Sequence, residues 1–342
     1  MAKRKRKGKR PSASRRVAAW LFAVSTLAIA ALGAAGDWYV HHSRDWLTEK
    51  RASLPSPVPT VLEWMGNPVA DITDGLGWTG HDVVYEYDEP APEGAVTFAG
   101  TPARTHGPAP DDIRVIERGE FTIGWSDKLR HPAWCAYHVV PNAKFEDGKR
   151  PSFMQDKAVS AAPRPDAYTK SGYDRGHMVP NHAIVSRYGD DERRKTFLMS
   201  NIAPQTPQLN RGVWRDVEHR IADLWTARYG EIWVVVGCIP SRSGERFGSS
   251  SIDVPEAFFQ VIMAQEGMDV RALAVLIRQD APWNAWAARE IVTIDELERL
   301  SGYDFNPELP AFIQDPLEAE LPTRLWPVRP ADILKQLRLR FM

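Results

Sequence analysis

The side chains best suited to catalysis in this 342-residue chain lie between residues 150 and 218. His177 ends the tetrapeptide 174–177 (DRGH), and its imidazole can act as a base because it titrates near neutral pH. Asn210 offers a carboxamide oxygen, a weak ligand that suits a hard cation such as Mg²⁺, which keeps most of its waters. Arg150 and Arg175 are fixed cations that can hold phosphate in a bidentate manner.

Glu218 extends this set along one predicted helix. It follows Asn210 by eight residues, which corresponds to roughly 12 Å of helical rise. That distance is too long for an ordinary pair of metal ligands, but a long glutamate can reach a metal-bound water. A base, a lightly held dication and cationic clamps together predict phosphodiester hydrolysis, in which positioning and charge stabilisation dominate.

The surrounding pattern predicts an α+β fold with a mainly antiparallel sheet and packed helices, because strands and helices do not alternate regularly. The predicted strands are a ribbon over 113–125 that turns at Arg118-Gly119, and single strands over 134–140, 233–239, 258–263 and 272–277. One helix is predicted over 207–229. Another is predicted to begin at Thr293, with Glu296 three residues later, and to end before Gly302.

Three motifs at fixed spacing carry a family resemblance. They are DRGH at 174–177, SN-x-x-PQ at 200–205 and LN-x-x-x-W-x-x-x-E at 209–218. Over about residues 112–312 the chain resembles the DNA/RNA non-specific endonucleases, which are ββα-metal (His-Me finger) nucleases. The resemblance implies a ββα-metal motif at the active site, DNA and RNA as substrates with little sequence preference, and products with 5′-phosphate and 3′-hydroxyl ends. The oligomeric state stays open, with a homodimer as one alternative.

The resemblance also implies a role for each matching residue. His177 would be the general base that activates water, and Asn210 would be the one direct protein ligand of Mg²⁺ or Mn²⁺. Glu218 would hold metal-bound water, Arg150 would stabilise transition-state charge, and Arg175 would support phosphate or the framework of the site.

Three further residues of the motifs are implied to support the site. Asp174 would frame the hairpin, either as a turn former or as a salt-bridge partner of Arg175, and Asn201 and Gln205 would orient the site through hydrogen bonds. Trp214 is expected in the core.

Three residues outside the implied site have plainer interpretations. His182 stands five residues after His177, a poor spacing for a metal pair, and is given no role. Cys135 and Cys238 both fall in predicted strands, where buried free thiols are expected, with a disulfide as the alternative.

Charge is distributed unevenly along the chain. Residues 1–16 contain nine basic side chains and no acidic one, which leaves 34 basic against 44 acidic residues elsewhere, a net charge of −10. The body is therefore not a generally basic nucleic-acid binder, and a polyanion must meet a local basic patch. The residues predicted for that patch are Arg193, Arg194, Lys195, Arg211 and Arg215.

The basic N-terminus precedes an uncharged stretch over 17–36, which is long enough to cross a bilayer once. This order predicts a transmembrane signal anchor, with a signal peptide cleaved near Gly33-Ala34-Ala35 as the alternative. A nuclear localisation tract is the weaker interpretation of the basic run. The positive-inside rule places the body outside the cytoplasm, either anchored at the bacterial periplasm or cell surface, or secreted.

The predicted organisation has six parts: a basic cytoplasmic tail (1–16), an anchor or signal (17–36), a proline-rich stalk (37–60), an extension of uncertain structure (61–111), a catalytic domain (112–315) and a C-terminal extension (316–342). Two other functions stay open from the sequence: a non-catalytic surface module that binds nucleic acid, and a hydrolase of other phosphodiesters that uses the same metal site.

Overall fold

The computed structural model describes residues 80–105, 107–141 and 149–332. The predicted tail, anchor and stalk (1–60) lie outside these residues. Among the helices that the structure does describe, none combines the length and the apolar character needed to span a bilayer.

One large antiparallel sheet forms the centre of the fold. In chain order, the described strands are β1 (Val83–Glu86), β2 (Ala103–Arg104), β3 (Ile113–Glu117), β4 (Phe121–Ser126), β5 (His131–Val139), β6 (Asp174–His177), β7 (Ile202–Gln205), β8 (Ile232–Ile239), β9 (Arg246–Phe247), β10 (Ile252–Asp253), β11 (Ala257–Glu266), β12 (Asp269–Arg278), β13 (Ile291–Val292) and β14 (Tyr303–Asp304). The main sheet runs in the order β1-β12-β11-β8-β5-β4-β3, and β13 also pairs with β12. This arrangement confirms the predicted α+β fold with a mainly antiparallel sheet.

Both faces of the central strands are covered, which explains why they are apolar throughout. Along β5, Cys135 and Tyr137 join the hydrophobic cluster on one face, whereas Trp134 and Ala136 join the cluster on the other. Side chains alternate across a strand, so a strand covered on both sides must be apolar at every position. Both cysteines are buried and free, as expected.

Helices cover the two faces of the sheet. The helices are α1 (Asn181–Tyr188), α2 (Asp190–Thr196), α3 (Pro207–Arg211), α4 (Val213–His219), α5 (Thr226–Tyr229), α6 (Ile294–Ser301) and α7 (Ala311–Ala319). Helices α6 and α7 pack their apolar sides, including Leu297 and Ile313, into one cluster. Helices α1 and α4 pack into the other cluster, which includes Ile184 and Val217. The second face therefore carries the elements that hold the candidate site.

The predicted helix over 207–229 is interrupted twice. It breaks at Gly212, whose backbone is not helical (φ −101°, ψ −119°), and it widens into a π-helical turn over Arg220–Trp225. By contrast, α6 begins and ends as predicted: the Thr293 side chain accepts a hydrogen bond from Glu296 N at 3.0 Å, and Gly302 closes the helix in the left-handed region.

The segments on either side of the predicted catalytic domain belong to the same core. Strand β1 pairs with β12, so part of the 61–111 extension forms an edge of the main sheet. Trp326, from the predicted C-terminal extension, is buried, and its carbonyl accepts a hydrogen bond from Trp225 Nε1 at 2.8 Å. The folded body therefore extends beyond 112–315 at both ends.

Candidate active site

A short ribbon and a helix hold the DRGH motif. Strands β6 and β7 pair antiparallel, with Asp174 opposite Gln205 and His177 opposite Ile202. The chain then passes directly into α3 and α4, which gives the predicted ββα arrangement. These elements enclose a cavity of about 620 Å³. Its lining includes Arg150, Asp174, Arg175, His177, Asn210, Arg211, Arg215 and Glu218.

His177 is held in an aromatic setting. Its side chain packs against Phe153 and Phe197, with ring centroids 5.3 and 4.8 Å away. The residue is only 8% exposed, and its Nε2 makes no hydrogen bond within the described part of the chain. Burial and, secondarily, the charge of Arg150 lower the pKa of His177 to about 3. The imidazole is therefore neutral at physiological pH and can accept a proton.

Asn210 is oriented by a carboxylate from the ribbon. Its Nδ2 donates to Asp174 Oδ2 at 2.9 Å. Arg211 donates two hydrogen bonds, of 2.8 and 2.7 Å, to the same carboxylate. The amide nitrogen is thus occupied, and the amide oxygen is the atom left to serve as a ligand. Asp174 pairs with Arg211 rather than with Arg175.

The charge of Asp174 suits this orienting role. Burial alone would raise the pKa of its carboxyl, but the hydrogen bonds from Arg211 and Asn210, together with the charges of Arg211 and Arg175, lower it overall. The group is therefore a stable anion that accepts from both neighbours.

Glu218 enters the cavity from α4. Burial raises the pKa of Glu218 to about 8, against the opposing effects of the Trp214 side chain and of the positive charges of Arg150 and Arg215. Because burial makes the Glu218 carboxyl costly to ionise, a cation bound nearby would stabilise its charged form. Glu218 and the Asn210 amide supply oxygen donors only, and this donor set fits a hard divalent cation.

Two arginines hold different positions at the cavity wall. The Arg150 guanidinium lies over the Phe197 ring, 5.2 Å from its centroid, and the side chain is exposed. Arg175 instead donates two hydrogen bonds to Pro165 O and lies over the rings of Phe153 and Tyr168. Arg175 therefore braces the ribbon, whereas Arg150 presents its charge to the cavity.

Asn201 and Gln205 support the site from within the protein. Buried Asn201 donates to Val179 O and Thr196 O and accepts from Val179 N, so it fixes the chain that follows β6. Gln205 packs across the ribbon so closely that a Cβ on Gly176 would lie 2.2 Å from its Oε1. A Cβ at position 176 would therefore fit only if the buried Gln205 side chain moved. Neither polar side chain lines the cavity.

The predicted basic patch is smaller than expected. Arg193 is 2% exposed and binds Asn181 and Asp190, so it stabilises α2 internally and is removed from the patch. Lys195 is paired with Glu192, and Arg211 is committed to Asp174. Arg194 is exposed and lines a second cavity of about 400 Å³ together with Lys149 and Arg150. Arg215 lines the main cavity.

Two histidines line the main cavity although no sequence pattern predicts them there. His182 and His219 both line it, although His182 had been given no role. They stand 37 positions apart, and only the packing of α1 against the α4 region brings them together. No local spacing could have revealed this pair.

Comparison with known proteins identifies the family that the three sequence motifs resemble. A model of the DNA/RNA non-specific endonuclease family matches residues 100–312, well over half of the chain. A nuclease of Nostoc sp. is 29% identical over 229 residues, covering 62% of this chain and 80% of the relative. Mitochondrial endonuclease G of Bos taurus is 28% identical over 238 residues, covering 64% and 78%.

The fold has a solved counterpart. A crystal structure of an EndoG/EndoGI complex aligns with a TM-score of 0.53 and 22% sequence identity, covering 60% of this chain and 89% of that one. At this identity the likeness concerns the fold alone.

Proposed function

Because the chain belongs to the DNA/RNA non-specific endonuclease family and is a hydrolytic nuclease, we propose that it hydrolyses internal phosphodiester bonds of both DNA and RNA in a metal-dependent reaction. His177 acts as the general base, and Asn210 holds a Mg²⁺ ion. The observation that carries the proposal is the convergence of His177, Asn210 and Glu218, from separate elements, on one cavity.

His177 starts the reaction as a neutral base. Its low pKa keeps the imidazole unprotonated, and the rings of Phe153 and Phe197 restrict its orientation. It takes a proton from the water that attacks phosphorus. The P–O3′ bond then breaks, which leaves a 5′-phosphate. The 3′ oxygen takes a proton from solvent water to become a hydroxyl, and His177 returns its proton to solvent.

Asn210 and Glu218 are the residues that would hold the metal, Asn210 directly and Glu218 through bound water. When bound, the ion would supply positive charge that stabilises the scissile phosphate as negative charge builds up. Mg²⁺ suits these donors better than a softer metal does, because both offer oxygen.

The cavity arginines stabilise the phosphate that is being cleaved. Arg150 offers its guanidinium to the non-bridging oxygens, and preorganised charge of this kind contributes most when it meets charge that develops in the transition state. Arg215 extends the positive lining along α4. Arg175 keeps the ribbon in place through Pro165.

The test is an assay of the full chain on supercoiled plasmid and on RNA, with Mg²⁺ and then with EDTA. We expect cleavage of both substrates with Mg²⁺ and its loss with EDTA. His177→Ala should reduce kcat by about 10²-fold or more, whereas His81→Ala, at an exposed histidine remote in sequence from the motifs, should leave kcat unchanged.

Two results would refute the proposal. One is an undiminished rate for a folded His177→Ala protein. The other is wild-type inactivity on DNA and RNA over a range of salt, with cleavage of a small synthetic phosphodiester only. Salt must be varied because phosphate-driven binding weakens steeply as ionic strength rises.

We also propose that residues 17–36 carry the catalytic body out of the cytoplasm, as a retained anchor. The support is the uncharged stretch directly after nine basic residues. Membrane fractionation followed by an alkaline wash should leave the protein in the pellet with its N-terminus intact. Release of a shortened protein would indicate a cleaved signal, and a cytoplasmic protein would contradict the proposal.

A further inference from the structure

A cluster of two histidines and one aspartate lies beside the main cavity, which His182 and His219 line. His182 Nε2 is 2.9 and 3.2 Å from the two carboxylate oxygens of Asp223. His219 Nδ1 is 3.2 Å from Asp223 Oδ2. One ligand atom from each of the three residues lies within 4.8 Å of the others. The side chains are between 32% and 38% exposed, so ions in solution can reach them.

The backbone that presents this cluster is firmly anchored. His219 ends α4, and Asp223 follows four residues later in the π-helical turn, so both point to one side of the helix. On the buried side, Arg220 Nε binds both carboxylate oxygens of Asp216, and Trp225 Nε1 donates to Trp326 O. π-helical turns of this kind occur frequently at functional sites.

The Asp223 carboxylate interacts with both histidines of the cluster. Burial lowers the pKa of Arg187, and the charge of Asp223 opposes that shift. The Arg187 guanidinium nevertheless donates to neutral oxygens, namely Val140 O, Ser186 Oγ, Ala222 O and Thr226 Oγ1. Asp223 thus forms no salt bridge with Arg187, and the cluster keeps a carboxylate between two imidazoles.

The donor set selects a class of metal. Two imidazole nitrogens and one carboxylate oxygen are the ligands that Zn²⁺ and similar transition-metal ions prefer, whereas Mg²⁺ prefers oxygen alone. Ligand atoms around a tetrahedral zinc ion are roughly 3.4 Å apart. The nitrogen–oxygen separations in the cluster, 2.9 to 3.2 Å, are those of hydrogen bonds, which hold the three side chains together at nearly that spacing.

We propose that His182, His219 and Asp223 form a binding site for a transition-metal dication, with Zn²⁺ as the representative ion. None of these three side chains belongs to the proposed catalytic metal site, which Asn210 and Glu218 would form. A bound ion would link α1 to the π-helical turn and would therefore stabilise the folded state by mass action.

The experiment measures zinc binding to the metal-stripped, tag-free full chain at pH 7.5 by titration calorimetry. His41 and His42 are adjacent in the sequence and could bind zinc themselves, so both are replaced by alanine throughout. We expect one saturable site and a higher Tm with zinc. His182→Ala and His219→Ala should each weaken binding by about 10-fold or more.

Two control variants locate the site. His81→Ala removes another exposed histidine that lies beside a carboxylate, Glu320 at 3.4 Å, and should leave zinc affinity unchanged. Asn210→Ala should also leave it unchanged, which separates this site from the proposed catalytic metal. Asp223→Asn keeps the size of the side chain but removes its charge, and it should weaken binding.

Spectra of the Co²⁺-substituted parent protein provide a second measurement, which does not depend on replacing His182, His219 or Asp223. Intense visible absorption at one equivalent would indicate four-coordinate nitrogen and oxygen ligation. The proposal is overturned if the parent protein shows no saturable zinc binding, or if His182→Ala and His219→Ala bind zinc as tightly as it does. It is equally overturned if Asn210→Ala alone abolishes binding.

Discussion

At the residue scale, the DRGH motif works through the differing environments of its four residues. His177 is buried between aromatic rings and stays neutral, whereas Asp174 accepts from Arg211 and Asn210 and stays charged. At Gly176, the Gln205 side chain occupies the space that a larger residue would need. One tetrapeptide therefore supplies the proposed base, the group that orients the proposed metal ligand, and the clearance for packing.

The low pKa of His177 predicts an unusual pH profile. An ordinary histidine base, with a pKa near 6.5, would lose about 20-fold in activity between pH 7 and pH 5 through protonation. With a pKa of about 3, His177 stays neutral over that range. In a Glu218→Gln variant, which removes the cavity carboxyl whose pKa is about 8, kcat/KM at saturating metal should therefore change by no more than about 2-fold. A steep acid limb with a midpoint between pH 6 and pH 7 would contradict this.

At the element scale, the β6–β7 ribbon should tolerate no side chain at position 176. Gly176→Ala would place Cβ 2.2 Å from the buried Gln205 side chain, and we expect it to lower the free energy of unfolding by about 1–3 kcal/mol. Adding Gln205→Ala shortens the neighbour and should recover part of the loss, a coupling that denaturant unfolding of both single variants and the double variant would measure. Simple additivity of the two changes would exclude the clash.

The helices on the opposite face carry a separate titration. Burial, together with the charge of Glu298, raises the pKa of Glu318 on α7 to about 9, and burial raises that of Glu298 on α6 to about 7. Between its unfolded pKa, near 4.5, and about 9, the folded protein keeps a proton on Glu318 that the unfolded chain has released. Stability therefore falls as pH rises through this window.

Glu318→Gln should remove that dependence. At pH 8, with EDTA present, we expect the variant to be more stable than wild type by about 1 kcal/mol or more, and below pH 4.5 the two should converge. Thermal unfolding across the pH range measures the difference. Glu117→Gln, at an exposed position on β3, is the matched control and should change nothing. An equal gain at every pH would rule out titration as the cause.

At the scale of the whole molecule, an acidic body must still bind a polyanion. Arg150 lines both the main cavity and the neighbouring one, and Lys149 and Arg194 continue the positive charge away from His177. The chain outside the tail carries a net charge of −10. We therefore expect the nucleic-acid strand beyond the cleavage point to bind along these local positive charges.

Removal of that charge should weaken duplex binding in a salt-dependent way. For the double variant Lys149→Gln/Arg194→Gln we expect a lower kcat/KM, and a slope of log affinity against log salt that is shallower by about 0.9 per lost phosphate contact. Arg299→Gln, at an exposed arginine on α6, is the control. An unchanged slope in the double variant would place the substrate elsewhere.

The sequence alone predicted the α+β fold with a mainly antiparallel sheet, the helix α6 with both its ends, and eight of the residues that line the cavity, among them His177, Asn210 and Glu218. These features are local: strand alternation, the cap at Thr293, and motifs whose spacing is read along one stretch of chain. Tertiary structure decided what depends on distant partners. Burial withdrew Arg193 from the surface, Asp174 paired with Arg211 instead of Arg175, and helix packing joined His182 to His219 and Asp223, because contacts between remote segments leave no periodic trace in the sequence.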